Sequence, residues 1–248
     1  MIQANYHTHT PRCKHAEGSE REYIEAAIAN GFKTLGFSDH TPQPFDDGFV
    51  SGIRMDMEEL DGYVDTLKAL REEYADRIDI RIGLEVEYYP SCFEKLMREI
   101  RKRDIDYLIL GQHFVPEEQE GFYAGSKTDR TYDIDAYIDA VIEALETKEF
   151  MYLAHPDLIH YIGDNEIYLS HMKRLCEYTS DKEVPLEING LGMLTDRWYP
   201  REDFFKLAVR EGCSFIFGCD AHNPSQVVQP EWIRGMDGFL EETGVIFS

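Results

Sequence analysis

The chain has 248 residues, of which 43% are hydrophobic and 29% charged, and this composition excludes an extensively disordered protein. Its formal net charge of −23 repels phosphate backbones and anionic membranes, so neither nucleic acid nor a membrane surface is an expected partner. No apolar run approaches a membrane span and no signal peptide is recognisable, so we expect a cytoplasmic protein. We expect a single domain over residues 1–248, because no linker-like segment interrupts the chain.

The first predicted elements are a strand, a helix and a strand. Residues 3–6 are strand-like, and a capping-box pattern at Ser19 and Glu22 then predicts a helix that closes at Gly31. Residues 34–37 form the second predicted strand. This order favours strands that run parallel, with a helix in each connection.

The same alternation continues through the middle of the chain. Apolar residues from Met57 to Tyr74 step by three and four and predict an amphipathic helix, before residues 80–84 alternate as a third strand. A second capping-box pattern at Ser91 and Glu94 predicts a helix ending near Arg103. The apolar run 107–110 is the fourth predicted strand.

Three further strands are predicted in the last hundred residues. Helices are predicted around 134–147 and 166–178, and another is opened by Pro200 and closed at Gly212. The remaining predicted strands are 151–154, 185–188 and 214–218. Seven short, mostly apolar strands alternating with helices favour an α/β barrel over a doubly wound sheet.

Metal-ligand residue types follow every predicted strand. In a parallel barrel these positions share one face, where active sites of such folds are built. Singly, each has an ordinary structural explanation, but seven of the nine histidines fall at these ends or in the first loop, while His160 and His171 receive no role. The candidates, in chain order, are His7, His9, His15, His40, Glu85, Glu87, His113, His155, Glu187 or Asn189, Asp220 and His222. So many donors exceed the needs of one ion, which predicts at least two ions of zinc, manganese or iron.

These motifs together resemble the polymerase-and-histidinol-phosphatase (PHP) family over nearly the whole chain. They are His7-x-His9, Ser38-Asp39-His40, Gly83-x-Glu85, Gly111-x-His113, Ala154-His155-Pro156 and Asp220-Ala221-His222. The resemblance implies a distorted seven-stranded, TIM-like barrel with three divalent ions. It implies that His7, His9, Glu85 and Asp220 hold one ion, that Glu85 bridges to a second ion held by His113 and His155, and that His15, His40 and His222 hold the third.

Within the family, the chain is most similar to the histidinol-phosphatase branch. Thr10-Pro11-x-Cys13-x-His15, Arg54-Met55, Leu186-Glu187-Ile188-Asn189 and Tyr199-Pro200 carry that likeness. The chain departs from the pattern at Gln112 and Cys219, which stand in place of small residues, neither of them a ligand position. The histidinol-phosphatase pattern has an arginine shortly after the position of Asn189, whereas the first arginine here is Arg197. This difference concerns the identity of the substrate and not the type of reaction.

The predicted reaction is hydrolysis of a small phosphate monoester, with L-histidinol phosphate in histidine biosynthesis as the favoured substrate. Divalent ions generate a hydroxide nucleophile and bind the phosphoryl oxygens. Arg54 and Arg197 are candidate hydrogen-bond donors to the phosphoryl oxygens, whose negative charge they would neutralise in the transition state; the alternative is that they are solvated surface residues. Glu87 is either a general base or a residue that orients the metal ligands by hydrogen bonding to them. Glu85, Asp220, His222, Arg54 and Arg197 are therefore the predicted catalytic residues.

Three other functions stay open at this point. The nearest is a phosphoesterase of the same family that acts on a nucleotide or sugar phosphate. A metal-dependent C–N hydrolase is disfavoured because no lysine follows any predicted strand. A noncatalytic metal-binding protein is disfavoured by the complete ligand set. The sequence does not indicate an oligomeric state.

Overall fold

The computed structural model describes residues 1–247, and their contacts divide the chain into two compact units. The first unit comprises Met1–Ile109 and Gly218–Trp232, and the second comprises Leu110–Phe217 and the segment from Ile233 onward. A single domain over residues 1–248 stays a prediction. The strands are β1 (Ala4–Asn5), β2 (Thr34–His40), β3 (Asp79–Val86), β4 (Tyr107–Leu110), β5 (Phe114–Val115), β6 (Phe122–Tyr123), β7 (Leu186–Asn189) and β8 (Phe215–Gly218). The helices are α1 (Glu20–Ala29), α2 (Leu60–Glu73), α3 (Phe93–Ile100), α4 (Thr131–Glu146), α5 (Asn165–Asp181), α6 (Gly190–Leu194), α7 (Glu202–Arg210) and α8 (Met236–Thr243).

A sheet of order β1-β2-β3-β4 forms the centre of the first unit. β1 pairs with β2 and β2 pairs with β3, both parallel, as the sequence predicted. The register places His40 opposite Glu85 at the carboxyl ends of β2 and β3. The sheet itself therefore brings two predicted ligands together.

The ring of Tyr107 lies directly against β2 and β3. A Cβ added to Gly83 would lie 2.3 Å from the Tyr107 ring, and one added to Gly36 would lie 2.2 Å from the Tyr107 hydroxyl. That hydroxyl lies 2.7 Å from the carbonyl oxygen of Tyr6, the shorter of its two possible hydrogen bonds, and 3.1 Å from the carbonyl oxygen of Phe37. The two glycines are thus required for this close approach, which ties β4 to the strands that carry the ligands.

Helices α1 and α2 form as their sequence patterns indicate. The capping box of α1 is present, with Ser19 N–H donating to Glu22 Oε2 at 2.7 Å. The buried residues of α2 are spaced by three and four, which gives it one apolar face. These residues are Leu60, Tyr63, Val64, Leu67 and Leu70.

The second unit contains two small sheets, one with β5 antiparallel to β6 and one with β7 beside β8. Leu153 forms single parallel bridges to Leu110 and to Leu186. Helices α4 and α5 bury continuous apolar faces. The hairpin of β5 and β6 and the helices α6 and α8 were not predicted.

Several predicted boundaries are wrong. β2 and β3 extend beyond residues 37 and 84, so His40 and Glu85 lie within the strands. Residues 151–154 form no regular strand beyond the single bridges of Leu153. The extended backbone cannot continue past them, because the positive φ of His155, 30°, lies outside the strand region.

Two predicted helix starts are also wrong. Helix α3 has Cys92 as its N-cap, with no side-chain cap, so the capping box at Ser91 does not form. Pro200 was predicted to lie in the first turn of α7, but that helix begins at Glu202. Arg201, with an extended backbone, is its N-cap, so Pro200 lies outside the helix. None of the helices within residues 1–247 is both long enough and apolar enough to cross a membrane.

Candidate metal centre

His7 and His9 lie on one side of an extended segment in the first unit. Thr8 between them forms a parallel bridge with Ala221, whose carbonyl accepts a 2.9 Å hydrogen bond from His9 N–H. Because alternate residues of an extended chain share a face, both rings point the same way. Their Nε2 atoms lie 3.4 Å and 3.1 Å from Asp220 Oδ1, as the predicted ligand group requires.

Glu85 contacts three imidazoles from the end of β3. Its Oε1 lies 3.6 Å from His7 Nε2, and its Oε2 lies 3.6 Å from His9 Nε2. His40 Nδ1 is 2.9 Å from the same Oε2. The carboxylate is only 1% exposed, so its charge is balanced by these neighbours rather than by water.

The remaining predicted ligands of the first unit lie beside this group. His15 Nε2 and His222 Nε2 are 3.0 Å apart, and His222 Nδ1 is 3.5 Å from Asp220 Oδ1. Donor nitrogens of His9, His40 and His222 all lie within 4.8 Å of one another. The structure therefore brings together every ligand that was predicted in this unit.

Asp39 supports this cluster, although no role was predicted for it. Its Oδ1 is 3.4 Å from His9 Nδ1, and its Oδ2 accepts hydrogen bonds from the backbone N–H, at 3.2 Å, and the hydroxyl of Thr10. A metal-binding histidine usually donates its second ring N–H to a carboxylate, which fixes the ring orientation. The one sign of this role in the sequence was the position of Asp39 directly before the predicted ligand His40, in the motif Ser38-Asp39-His40.

In the second unit, His113 and His155 form a pair with ring centroids 4.9 Å apart. The backbone of His155 is held by Glu187, whose Oε2 accepts a 3.0 Å hydrogen bond from His155 N–H. Asn189 donates to the same oxygen at 2.9 Å. Glu187 and Asn189, which were alternative ligands in the sequence, thus support the unusual backbone of His155.

Asp157, two residues after His155, anchors the start of α7. Arg201 N–H donates to Asp157 Oδ2 at 2.6 Å. Burial raises the pKa of Asp157 to about 7 despite this bond. The carboxyl group can therefore hold a proton near neutral pH.

The two candidate arginines differ in exposure. Arg54 is 1% exposed and its Nη2 donates to Glu87 Oε1 at 2.7 Å, so the interpretation of Arg54 as a solvated surface residue is wrong. Tyr89 donates its hydroxyl to the other oxygen of Glu87, which favours a supporting role for Glu87 over that of a general base. Arg197 is exposed and its Nη1 lies 2.7 Å from the Tyr199 hydroxyl oxygen.

The two histidines without a predicted role contact other groups. His160 stacks on Trp198 with ring centroids 4.2 Å apart, and His171 Nδ1 lies 2.7 Å from Asp135 Oδ1. These contacts account for both side chains without a ligand role.

The pKa values in the cluster are set by burial and by the contacts between its imidazoles and carboxylates. Burial by itself would lower the pKa of His9, but Asp220 and Asp39 outweigh it and raise that pKa well above its ordinary value. Burial would raise the pKa of Asp220, but His7 and His9 hold it well below its ordinary value. Burial and the charge of His9 lower the pKa of His222.

The donor set fits divalent cations. Imidazole nitrogens and carboxylate oxygens are ligands of zinc, manganese and iron. His9 Nε2 is buried and lies 3.1 Å from Asp220 Oδ1 and 3.6 Å from Glu85 Oε2, although neither contact has the geometry of a hydrogen bond. A buried ring nitrogen that faces two carboxylates at these distances is well suited to a cation.

We predict that metal binding releases protons and weakens as the pH falls. The raised pKa of His9 favours a bound proton there in the metal-free protein, and an incoming ion must displace that proton. Calorimetric zinc titrations in buffers of different ionisation enthalpy should therefore yield different apparent enthalpies. His171→Gln, outside the cluster, should release as many protons as the wild type, and buffer-independent enthalpies would contradict the prediction.

Known proteins resemble this chain over most of its length. A family model described as PHP domain matches residues 5–190, a span that contains most of the motifs named above. The chain belongs to the PHP domain family. In Deinococcus radiodurans, a protein named probable histidinol-phosphatase is 30% identical over 237 residues, covering 89% of this chain and 86% of that protein.

Two further proteins extend the likeness of this PHP domain. A probable histidinol-phosphatase of Schizosaccharomyces pombe is 26% identical and covers 89% of this chain and 81% of its own length. The crystal structure of histidinol phosphate phosphatase from Lactococcus lactis, complexed with zinc, L-histidinol and phosphate, has a TM-score of 0.73 at 19% identity. The match covers 99% of this chain and 95% of that one. This likeness confirms the predicted fold class, an α/β, TIM-like barrel of the PHP type.

Proposed function

We propose that this protein is a phosphatase that binds divalent metal and hydrolyses L-histidinol phosphate to L-histidinol and phosphate, a step of histidine biosynthesis. The observation that carries the proposal is the buried convergence of His7, His9, Glu85 and Asp220. It occurs in a chain whose relatives over most of its length are named histidinol-phosphatases.

The finer proposal is that the protein holds three divalent ions, of zinc, manganese or iron. His7, His9, Glu85 and Asp220 form one group of donors, and His15, His40 and His222 form another. In the second unit, His113 and His155 are the donors. Divalent ions, when bound, lower the pKa of water to about 7 and neutralise charge on the phosphoryl oxygens.

The side chains of the site contribute orientation and exclusion of water. Asp39 contacts Nδ1 of His9, the ring nitrogen that faces away from Asp220, and so orients the ring. The pairing of β2 with β3 places His40 opposite Glu85. Because His7, His9 and Glu85 are at most 1% exposed, charges in this group interact in a medium less polar than water. Such preorganised groups need little rearrangement during reaction, which is the main source of electrostatic catalysis.

The substrate itself is chosen partly by charge. L-histidinol phosphate carries an amine opposite its phosphate, and a protein of net charge −23 attracts that cationic end. Arg197, which is exposed and steadied by Tyr199, is the proposed donor to the phosphate, and Arg54 remains a proposed donor although it is paired with Glu87. The cytoplasmic location stays a prediction.

The test compares kcat/KM for L-histidinol phosphate, a nucleoside monophosphate and an aryl phosphate, with wild type and His113→Ala. We expect selectivity of at least about 100-fold for histidinol phosphate, because unpaired polar groups penalise the wrong ligand. We also expect loss of that activity in His113→Ala, with His171→Gln as a control that retains it. Preference for the nucleotide would assign another substrate, and full activity of His113→Ala would remove that residue from the site.

A further inference from the structure

Cys13 lies among the donors of the first unit, where the proposed ligand set gives it no role. Its side chain is completely buried. Its Sγ and one nitrogen each of His15 and His222 lie within 4.8 Å of one another. Cys13 also belongs to a second such group with His9 and Asp39. The thiol is therefore inside the cluster of imidazoles.

The local backbone explains why Cys13 and His15 face the same place. Pro11–Cys13 is a turn of 3-10 helix that begins after Thr10, and Lys14 follows it in the left-handed region with φ 69°. This reversal lets Cys13 O contact His15 Nδ1 at 2.7 Å. The ring is thus oriented with Nε2 toward His222 Nε2, 3.0 Å away. Two ring nitrogens this close need either a shared proton or a cation between them.

The chemistry of the group is that of a zinc site. Zinc binds thiolate at about 2.3 Å and imidazole at about 2.0–2.1 Å, so donors on one tetrahedral ion are about 3.3–3.8 Å apart. Separations below 4.8 Å leave room for such an ion without large movement. A bound divalent cation deprotonates a thiol that coordinates it, so Cys13 would bind as the thiolate. Nearby, the buried His9 Nε2 lies 3.1 Å from Asp220 Oδ1, so a carboxylate also faces this group of donors.

We propose that Cys13 is a thiolate ligand of the ion that His15 and His222 hold. The inference rests on the proposed function, because it concerns one of the same ions. It implies that this position prefers zinc over manganese, since a soft sulfur ligand selects the softer metal. It also implies that alkylation or oxidation of the thiol loosens this ion in particular.

The test is a cobalt titration of the metal-stripped protein, followed by absorption spectroscopy. Thiolate ligation of Co²⁺ produces a sulfur-to-cobalt charge-transfer band in the near ultraviolet, which imidazole ligands do not produce. We expect the band in the wild type and its loss in Cys13→Ser, with the visible bands of cobalt retained because the histidines remain. Cys92→Ser is the matched control, since Cys92 is also buried in the first unit but contacts Gln43, and it should keep the band.

A second measurement needs no variant. In ¹¹³Cd NMR of the cadmium-loaded wild type, one resonance should lie downfield of the others, as a mixed sulfur and nitrogen site requires. Bound cobalt without a charge-transfer band, or cadmium resonances of nitrogen and oxygen sites alone, would overturn the role of Cys13. Neither result depends on phosphatase activity, so a protein that shows the thiolate band but does not hydrolyse histidinol phosphate would contradict the proposed function alone.

Discussion

Replacement of Glu85 by glutamine is expected to lower kcat/KM for L-histidinol phosphate by about 1,000-fold or more. Glutamine keeps the shape of the side chain but removes the charge. That charge faces His7 Nε2 and His9 Nε2, each at 3.6 Å, and His40 Nδ1 at 2.9 Å. The measurement is kcat/KM together with the metal content of the purified variant, which we expect to fall.

Asp79→Asn is the matched control for this prediction. Asp79 begins the same strand, β3, and its carboxylate forms an exposed ion pair with Arg81 at 2.7 Å. The same change of charge there should leave both metal content and kcat/KM within about 2-fold of wild type, because exposed pairs contribute little. A Glu85→Gln protein with wild-type activity would remove Glu85 from the catalytic site.

Replacement of Glu87 by alanine is expected to lower the free energy of unfolding by about 3–5 kcal/mol. Glu87 and Arg54 are both 1% exposed and are joined by a 2.7 Å contact. Without the carboxylate, the Arg54 guanidinium would be a buried charge that has lost its counterion. Urea unfolding of the metal-stripped proteins measures the effect and separates it from any change in metal affinity.

The double variant Arg54→Met/Glu87→Met controls for the cause. It removes both charges and fills the space with apolar atoms, so we expect it to recover most of the lost stability. A loss below about 1 kcal/mol in Glu87→Ala would mean that water or other groups compensate Arg54. Equal losses in the single and double variants would assign the effect to packing.

The ligand positions could be predicted from the sequence because parallel strands open onto one edge. His7, His9, Glu85 and Asp220 were recognisable from their places after apolar runs, and the structure brings them within contact distance. The register that sets His40 against Glu85 could not be predicted. Strand length was underestimated because buried polar ligands interrupt the apolar pattern that marks a strand.

Partners distant in sequence were the other limit. The pairing of Arg54 with Glu87, 33 positions later in the chain, could not be predicted, and it overturns only the alternative of a solvated surface residue. Asp39 and Glu187 support His9 and the His155 backbone through contacts that no local pattern reveals. Residues 151–154 have the composition of a strand, but only Leu153 pairs, by single bridges, and the positive φ of His155 ends the extended backbone there.

The most direct test of the account is metal reconstitution of the stripped wild-type protein, with bound metal and hydrolysis of L-histidinol phosphate measured on the same samples. We predict negligible hydrolysis without metal and a rate that rises with bound zinc or manganese until about three ions are held per chain. Hydrolysis by the stripped protein at the reconstituted rate, or a fully loaded protein that leaves histidinol phosphate intact, would contradict the account.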